Sequence, residues 1–191
     1  MSDFVILKKF KVNIHPPKAP VIKEVFWCLP LQHWIKGNTD GASTSISSAC
    51  GVIFRNSDAD MLLCLAKNLG SVPALHAELM GAMRAIEISF KRGWRNFWLE
   101  SDSSMVVLAF KNVFVVPWTL RNRWFNCTKL TSQMNFVVTH IFREGNQCAD
   151  RLANLGLSIQ GVSFWNIVPA AITSHFVCNK LGRPSFRFVS F

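Results

Sequence analysis

The chain has 191 residues, 50% of them apolar, 17% charged and 12% aromatic, with a formal net charge of +10. That apolar content excludes a disordered or low-complexity chain. Apolar runs as short as MLLCLA (61–66) and MVVLAF (105–110) exclude a membrane helix, which takes roughly 18 residues.

The N-terminus, MSDFVILKKFK, puts an acid before its apolar residues and lysines after them. This reverses the order of a secretory signal, so the expected residence is intracellular, in nucleus or cytoplasm. Six cysteines without a C-x-x-C pair read as reduced thiols, with Cys50, Cys64 and Cys148 as small buried apolar residues. The charge is unevenly placed: residues 1–30 carry +3, residues 31–150 carry +3 and residues 151–191 carry +4. A basic excess favours a polyanionic partner such as nucleic acid, or serves solubility alone.

Residues 1–33 include the proline-rich HPPKAP (15–20) and read as a linker or upstream fragment. A first strand begins near Trp34, and WIKGNT is broken by a turn at Asp40-Gly41-Ala42. ACGVIFRN (49–56) and MLLCLAKNL (61–69) flank the polar SDAD and form a hairpin. Leu75, Leu79, Ala82, Ile86 and Phe90 then recur at helical spacing, from Ser71 and Pro73 to a stop at Gly93. NFWLES (96–101) is a short strand, and Asp102 or Ser103 caps a helix to Asn112. A third helix runs from Pro117 to about Thr131, NFVVTHIF (135–142) is a strand, and Asn146 caps a helix to about Leu157. This order predicts an α/β fold: a mixed five-stranded sheet, a three-strand antiparallel meander plus parallel strands, with helices on both faces. Residues 158–191 read as an extension without clear period.

Four carboxylates need more than a local explanation. On a helical wheel Glu78 borders the buried stripe, where an ionised carboxylate is costly unless paired or coordinated. Taken singly, Asp40 and Asp102 read as turn or cap residues after strands, and Asp150 as an acid favoured by the N-terminal end of its helix. Taken together, two strand ends and two helix starts bring four acids to the end of a sheet where ligands collect. Oxygen-only ligands select Mg²⁺ or Mn²⁺, and a pair of such ions serves phosphodiester chemistry.

With these segments in view, residues 34–157 resemble the RNase H-like domain, in the type-1 branch of plant non-LTR retroelement polyproteins. The matching segments are NTDGA with Asp40, HAELMGAMRAIE with Glu78, LESDS with Asp102 and HIFREGNQCADRLANLG with Asp150. The resemblance implies hydrolysis of the RNA strand of RNA–DNA hybrids, leaving 5′-phosphate and 3′-hydroxyl ends, and the chain is expected to be a monomer. It implies two Mg²⁺ ions, with Mn²⁺ as a substitute: Asp40 bridging, Glu78 and Asp102 on the leaving side, Asp150 on the water side. It also places substrate contacts at Gly41, Arg143 and Asn146.

Two features depart from the pattern. The loop before Asp150 lacks a histidine; His140 reads as a packed strand residue, and Arg143 as a phosphate contact or a surface partner of Glu144. A long basic handle is also missing, and Lys111, Arg121, Arg123 and Lys129 suit the wet side of a helix whose dry side carries Trp118, Phe125 and Leu130. The alternative function is a catalytically silent, retroelement-derived module that binds nucleic acid or a partner.

Overall fold

A computed structural model describes residues 21–189. In chain order the strands are β1 (Val21–Val25), β2 (Ile35–Ser43), β3 (Ser48–Arg55), β4 (Met61–Gly70), β5 (Asn96–Ser101), β6 (Asn135–His140), β7 (Val162–Trp165) and β8 (Ser185–Val189). The α-helices are α1 (Ala74–Lys91), α2 (Ser104–Ala109), α3 (Arg121–Thr131), α4 (Gln147–Gly156) and α5 (Thr173–Lys180). Among the described residues no helix is long and apolar enough to cross a membrane.

Six strands form one mixed sheet in the order β6-β5-β2-β3-β4-β7. β2, β3 and β4 make the antiparallel meander, while β5 pairs in parallel with both β2 and β6. The five expected strands are all present. The sixth, β7, comes from the C-terminal stretch and covers the free edge of β4 through Cys64↔Trp165 to Lys67↔Val162.

Side-chain alternation along β3 divides the core. Cys50, Val52 and Phe54 pack with Leu79, Met83 and Ile86 of α1, and with Trp124 and Cys127 of α3. Ile53 instead joins Cys148 and Leu152 of α4 and Phe176 of α5. Residues one apart on a strand serve opposite layers, so helices cover both faces. The cysteines follow the same division: Cys50, Cys64 and Cys148 are buried, and all six thiols are free.

The flanks depart from the sequence reading. Residues 1–20 of the expected linker, HPPKAP included, lie outside the described residues. Val21–Val25, however, pairs antiparallel with Ser185–Val189, and Val25 and Trp27 are buried with Ile141. Alternation in VIKEV and SFRFV is too short to register as a period, so their strand character comes from pairing with each other.

Corrections also apply inside the domain. Asp40-Gly41-Ala42 is no turn, because β2 runs on through it with Asp40↔Gly51, Gly41↔Cys50 and Ala42↔Ala49. Helix α3 buries Leu120, Trp124 and Cys127 at its contact with the core, whereas Trp118 is 80% exposed and Phe125 54% exposed. Of the expected dry side only Leu130 packs against the core, and Trp124 and Cys127 take the places of Trp118 and Phe125. On the same helix, Arg123 donates through Nε and Nη2 to Glu87 of α1, both at 2.7 Å. Glu87 is thus an interhelical partner.

Gly41 explains why Asp-Gly occurs within a strand. A Cβ at this position would lie 2.4 Å from the Glu78 backbone nitrogen and 2.7 Å from the Ala77 carbonyl carbon. Its absence lets α1 sit directly on β2. Gly41→Ala is expected to cost about 1–3 kcal/mol by overpacking, measured by urea unfolding, because rigid backbone is what would have to yield.

Candidate active site

Parallel pairing of β2 with β5 stops at Thr39↔Ser101. Asp40 and Asp102 are the next residues on each chain path, so both lie where the two strands part. Close seating of α1 on Gly41 then brings in Glu78, the fifth residue of that helix. Asp40, Glu78 and Asp102 each offer a carboxylate oxygen such that all lie within 4.8 Å of one another.

These acids are short of solvent and short of partners. Burial pushes the Asp40 carboxyl up to about 8, assisted by the charges of Asp102 and Asp150. Burial, then the charges of Asp40 and Asp102, also hold Glu78 well above the usual carboxylate range. Glu78 Oε2 is buried without a hydrogen-bond partner. Asp102 is raised too, by burial, although a hydrogen bond from Asn146 opposes the shift. Buried, mutually repelling oxygens with an orphaned acceptor are what hard divalent cations would satisfy, so the residues fit such ions.

Asp150 lines the same cavity of about 330 Å³, together with Arg143, Asn154, Ser43 and Thr44. It stands outside the three-carboxylate group, and both of its oxygens have partners. Arg143 Nη2 donates to Oδ1 at 2.9 Å, and Asn154 Nδ2 lies 3.3 Å from Oδ2. The structure thus brings three of the four sequence-chosen acids together and tethers the fourth at the cavity wall.

The remaining site residues sit differently from expectation. Arg143 pairs with Asp150, not with Glu144, which faces Arg187 instead. Its side chain is 72% exposed at the mouth. Asn146 is buried, which rules out direct substrate contact without rearrangement. It also caps nothing with its side chain; Nδ2 donates instead to Asp102 Oδ1 and to the Thr39 carbonyl, each at 2.9 Å. Gly41 seats α1 and also lines the cavity of the acids. His140 is exposed at the end of β6, edge-on to the Phe142 ring, and its Nε2–H donates to the Asp102 carbonyl at 3.0 Å.

Behind the acids lies a polar layer that the sequence reading missed. Lys36, Asn38 and Arg55 are buried on the sheet beside Glu100 of β5. Lys36 Nζ lies 2.7 Å from Glu100 Oε2 and 3.8 Å from the centre of the Trp98 ring. A signal was present: Lys36, Asn38 and Asp40 alternate along one face of β2, as Trp98 and Glu100 do on β5.

Comparisons with known proteins bear on the family and the fold. A family model described as reverse transcriptase-like matches residues 38–156. An Arabidopsis thaliana protein named "Putative ribonuclease H protein" is 30% identical over 176 residues, 90% of this chain. The chain spans only 28% of that relative's length. Among solved structures, RNase H1 of the archaeon Halobacterium salinarum aligns with a TM-score of 0.59 at 23% identity, over 65% of this chain and 97% of that one. LC11-RNase H1, solved in complex with an RNA/DNA hybrid, aligns with a TM-score of 0.57 at 22% identity, over 64% and 96%. The foamy viral protease-reverse transcriptase with an RNA/DNA hybrid gives 0.59 at 17% identity, over 78% of this chain and 23% of that one.

Proposed function

Since the chain belongs to the reverse transcriptase-like family and carries an RNase H-like domain, we propose that it hydrolyses the RNA strand of RNA–DNA hybrids endonucleolytically. The observation that carries this reading is the three-carboxylate group of Asp40, Glu78 and Asp102, with one buried Glu78 oxygen unpartnered. Asp40, Glu78 and Asp102 would hold divalent ions, Mg²⁺ or its substitute Mn²⁺, with Asp150 supplying a fourth carboxylate. Such ions, when bound, supply water activation and neutralisation of charge at the leaving oxygen.

The chain's own groups organise that centre. Asn146 holds Asp102 through Oδ1, and through the Thr39 carbonyl it also holds the strand just before Asp40. Asn154 and Arg143 hold Asp150 at the rim. An exposed guanidinium there meets a phosphate diester as it enters, a charge-assisted contact with a fork suited to two oxygens. We also infer an origin in a retroelement polyprotein and a place of action in nucleus or cytoplasm, wherever hybrids arise.

The test incubates purified protein with an end-labelled RNA–DNA hybrid in Mg²⁺, beside a chelator control and Asp40→Asn. Cleavage lost in both controls is expected. An intact hybrid that is nonetheless bound by folded protein would overturn the nuclease reading in favour of a silent binding module.

A further inference from the structure

Asn38 is buried two residues before Asp40, and both ends of its side-chain amide are fully used. Its Oδ1 accepts from Trp27 Nε1 at 2.8 Å and from Arg55 Nη2 at 2.7 Å. Its Nδ2 donates to Glu100 Oε2 at 2.9 Å and to Asn146 Oδ1 at 3.2 Å. An amide with two acceptors and two donors around it has one orientation, since a flip would set donors against donors. Asn146 inherits that constraint: with its Oδ1 held by Asn38, its Nδ2 must face Asp102 and the Thr39 carbonyl.

We propose that Asn38 is a remote positioning residue of the metal-binding carboxylates. Through Asn146 it fixes Asp102 and the strand segment carrying Asp40, and Trp27 and Arg55 fix Asn38 itself. This rests on the metal-site reading given above. Both flanks of the domain are thereby joined to the site. Trp27 belongs to the segment before β2, and Arg55 is held by Asn179 of α5, which accepts from Nη1 at 2.9 Å. Arg55 also stacks 3.6 Å from the centre of the Trp27 ring. No member of this chain except Asn146 touches a carboxylate of the three-acid group, so influence on the site must pass through orientation.

A merely structural network would lower the unfolding temperature and leave metal affinity alone. The two roles separate in a Mn²⁺ and Mg²⁺ titration of the full chain, read as the metal-dependent rise in melting temperature. Asn38→Ala is expected to weaken the apparent affinity by about tenfold, the low end of the range for an outer partner of a metal ligand, because it acts on Asp102 through Asn146. Trp27→Phe keeps the ring and its stacking, removes a single donor, and is expected to weaken affinity about threefold to tenfold. In hybrid cleavage both variants should need more metal for half-maximal rate, with KM for the hybrid unchanged. Variants that melt cooperatively with wild-type metal affinity overturn the proposal. If Asn38→Ala does not fold, Trp27→Phe decides alone. Failure of the wild-type chain to bind either ion removes the premise as well, a result distinct from a wild-type chain that binds and variants that bind equally.

Discussion

Asp40→Asn is expected to lower hybrid cleavage by on the order of 10³ or more while making the metal-free protein more stable. The first effect follows from loss of a central ligand for ions that neutralise charge in the transition state. The second follows from repulsion. The Asp40 carboxyl titrates near 8 in the folded chain because it is buried beside Asp102 and Asp150, against about 4 in an unfolded chain. Between those values the folded state holds the proton that the unfolded state has released. Stability of the metal-free protein therefore falls as pH rises from about 4 to about 8, and bound cations reverse the loss. Asn removes the charge, so the variant should melt higher than wild type at pH 8 in chelator, by about 2–4 °C per kcal/mol relieved. It should also show a flatter dependence on pH and a smaller response to Mg²⁺. A variant that is both inactive and less stable in chelator would argue against a strained carboxylate centre.

Lys36→Met is expected to destabilise the fold by about 3–5 kcal/mol, the usual result of removing one partner of a buried ion pair. Lys36 is fully buried, and its ammonium meets Glu100, the Cys28 carbonyl at 2.9 Å and the Trp98 face. Burial lowers the pKa of this amine, with Glu100 working in the opposite direction. Methionine fills the volume but leaves the Glu100 carboxylate without its cation in the interior. The double change Lys36→Met with Glu100→Gln should recover much of the loss, because the uncompensated charge is gone and Gln still accepts from Asn38. Equilibrium urea unfolding of the two single variants and the double variant gives the coupling directly. Additive losses would mean that Lys36 acts through packing on Trp98 rather than through charge.

The acids of the site were legible as a set, since Asp40, Asp102 and Asp150 were each ordinary when taken singly. Glu78 bordered an apolar stripe, and Asp40 and Asp102 followed strands. The helices and meander were legible from their periods. Lys36, Asn38 and Glu100 left only an alternation of polar residues in the sequence, because their pairing depends on a non-local register, Asn38↔Glu100, that exists once β2 and β5 align. The turn expected at Asp40-Gly41-Ala42 came from a dipeptide that favours turns, yet here Gly41 answers to the backbone of α1. The fourth carboxylate was placed in the right cavity, but its ion pair with Arg143 was not foreseen, since Glu144 stood nearer to that arginine in sequence. The flanks defeated pattern reading because each is a short strand whose partner lies at the opposite end of the chain.

That last arrangement bears on how the molecule is made. Val21 faces Val189 across the β1–β8 ribbon, so this pairing has the longest sequence separation in the described fold. Contacts of such separation form slowly and late. On a ribosome, all four acids have been synthesised before residues 185–189 exist. Arg55 likewise waits for Asn179, which holds it from the last helix. A nascent chain can therefore assemble its carboxylates before the ribbon closes and before the last helix can brace Arg55. Emergence of residues 173–189 is then the step that lets Arg55 be braced.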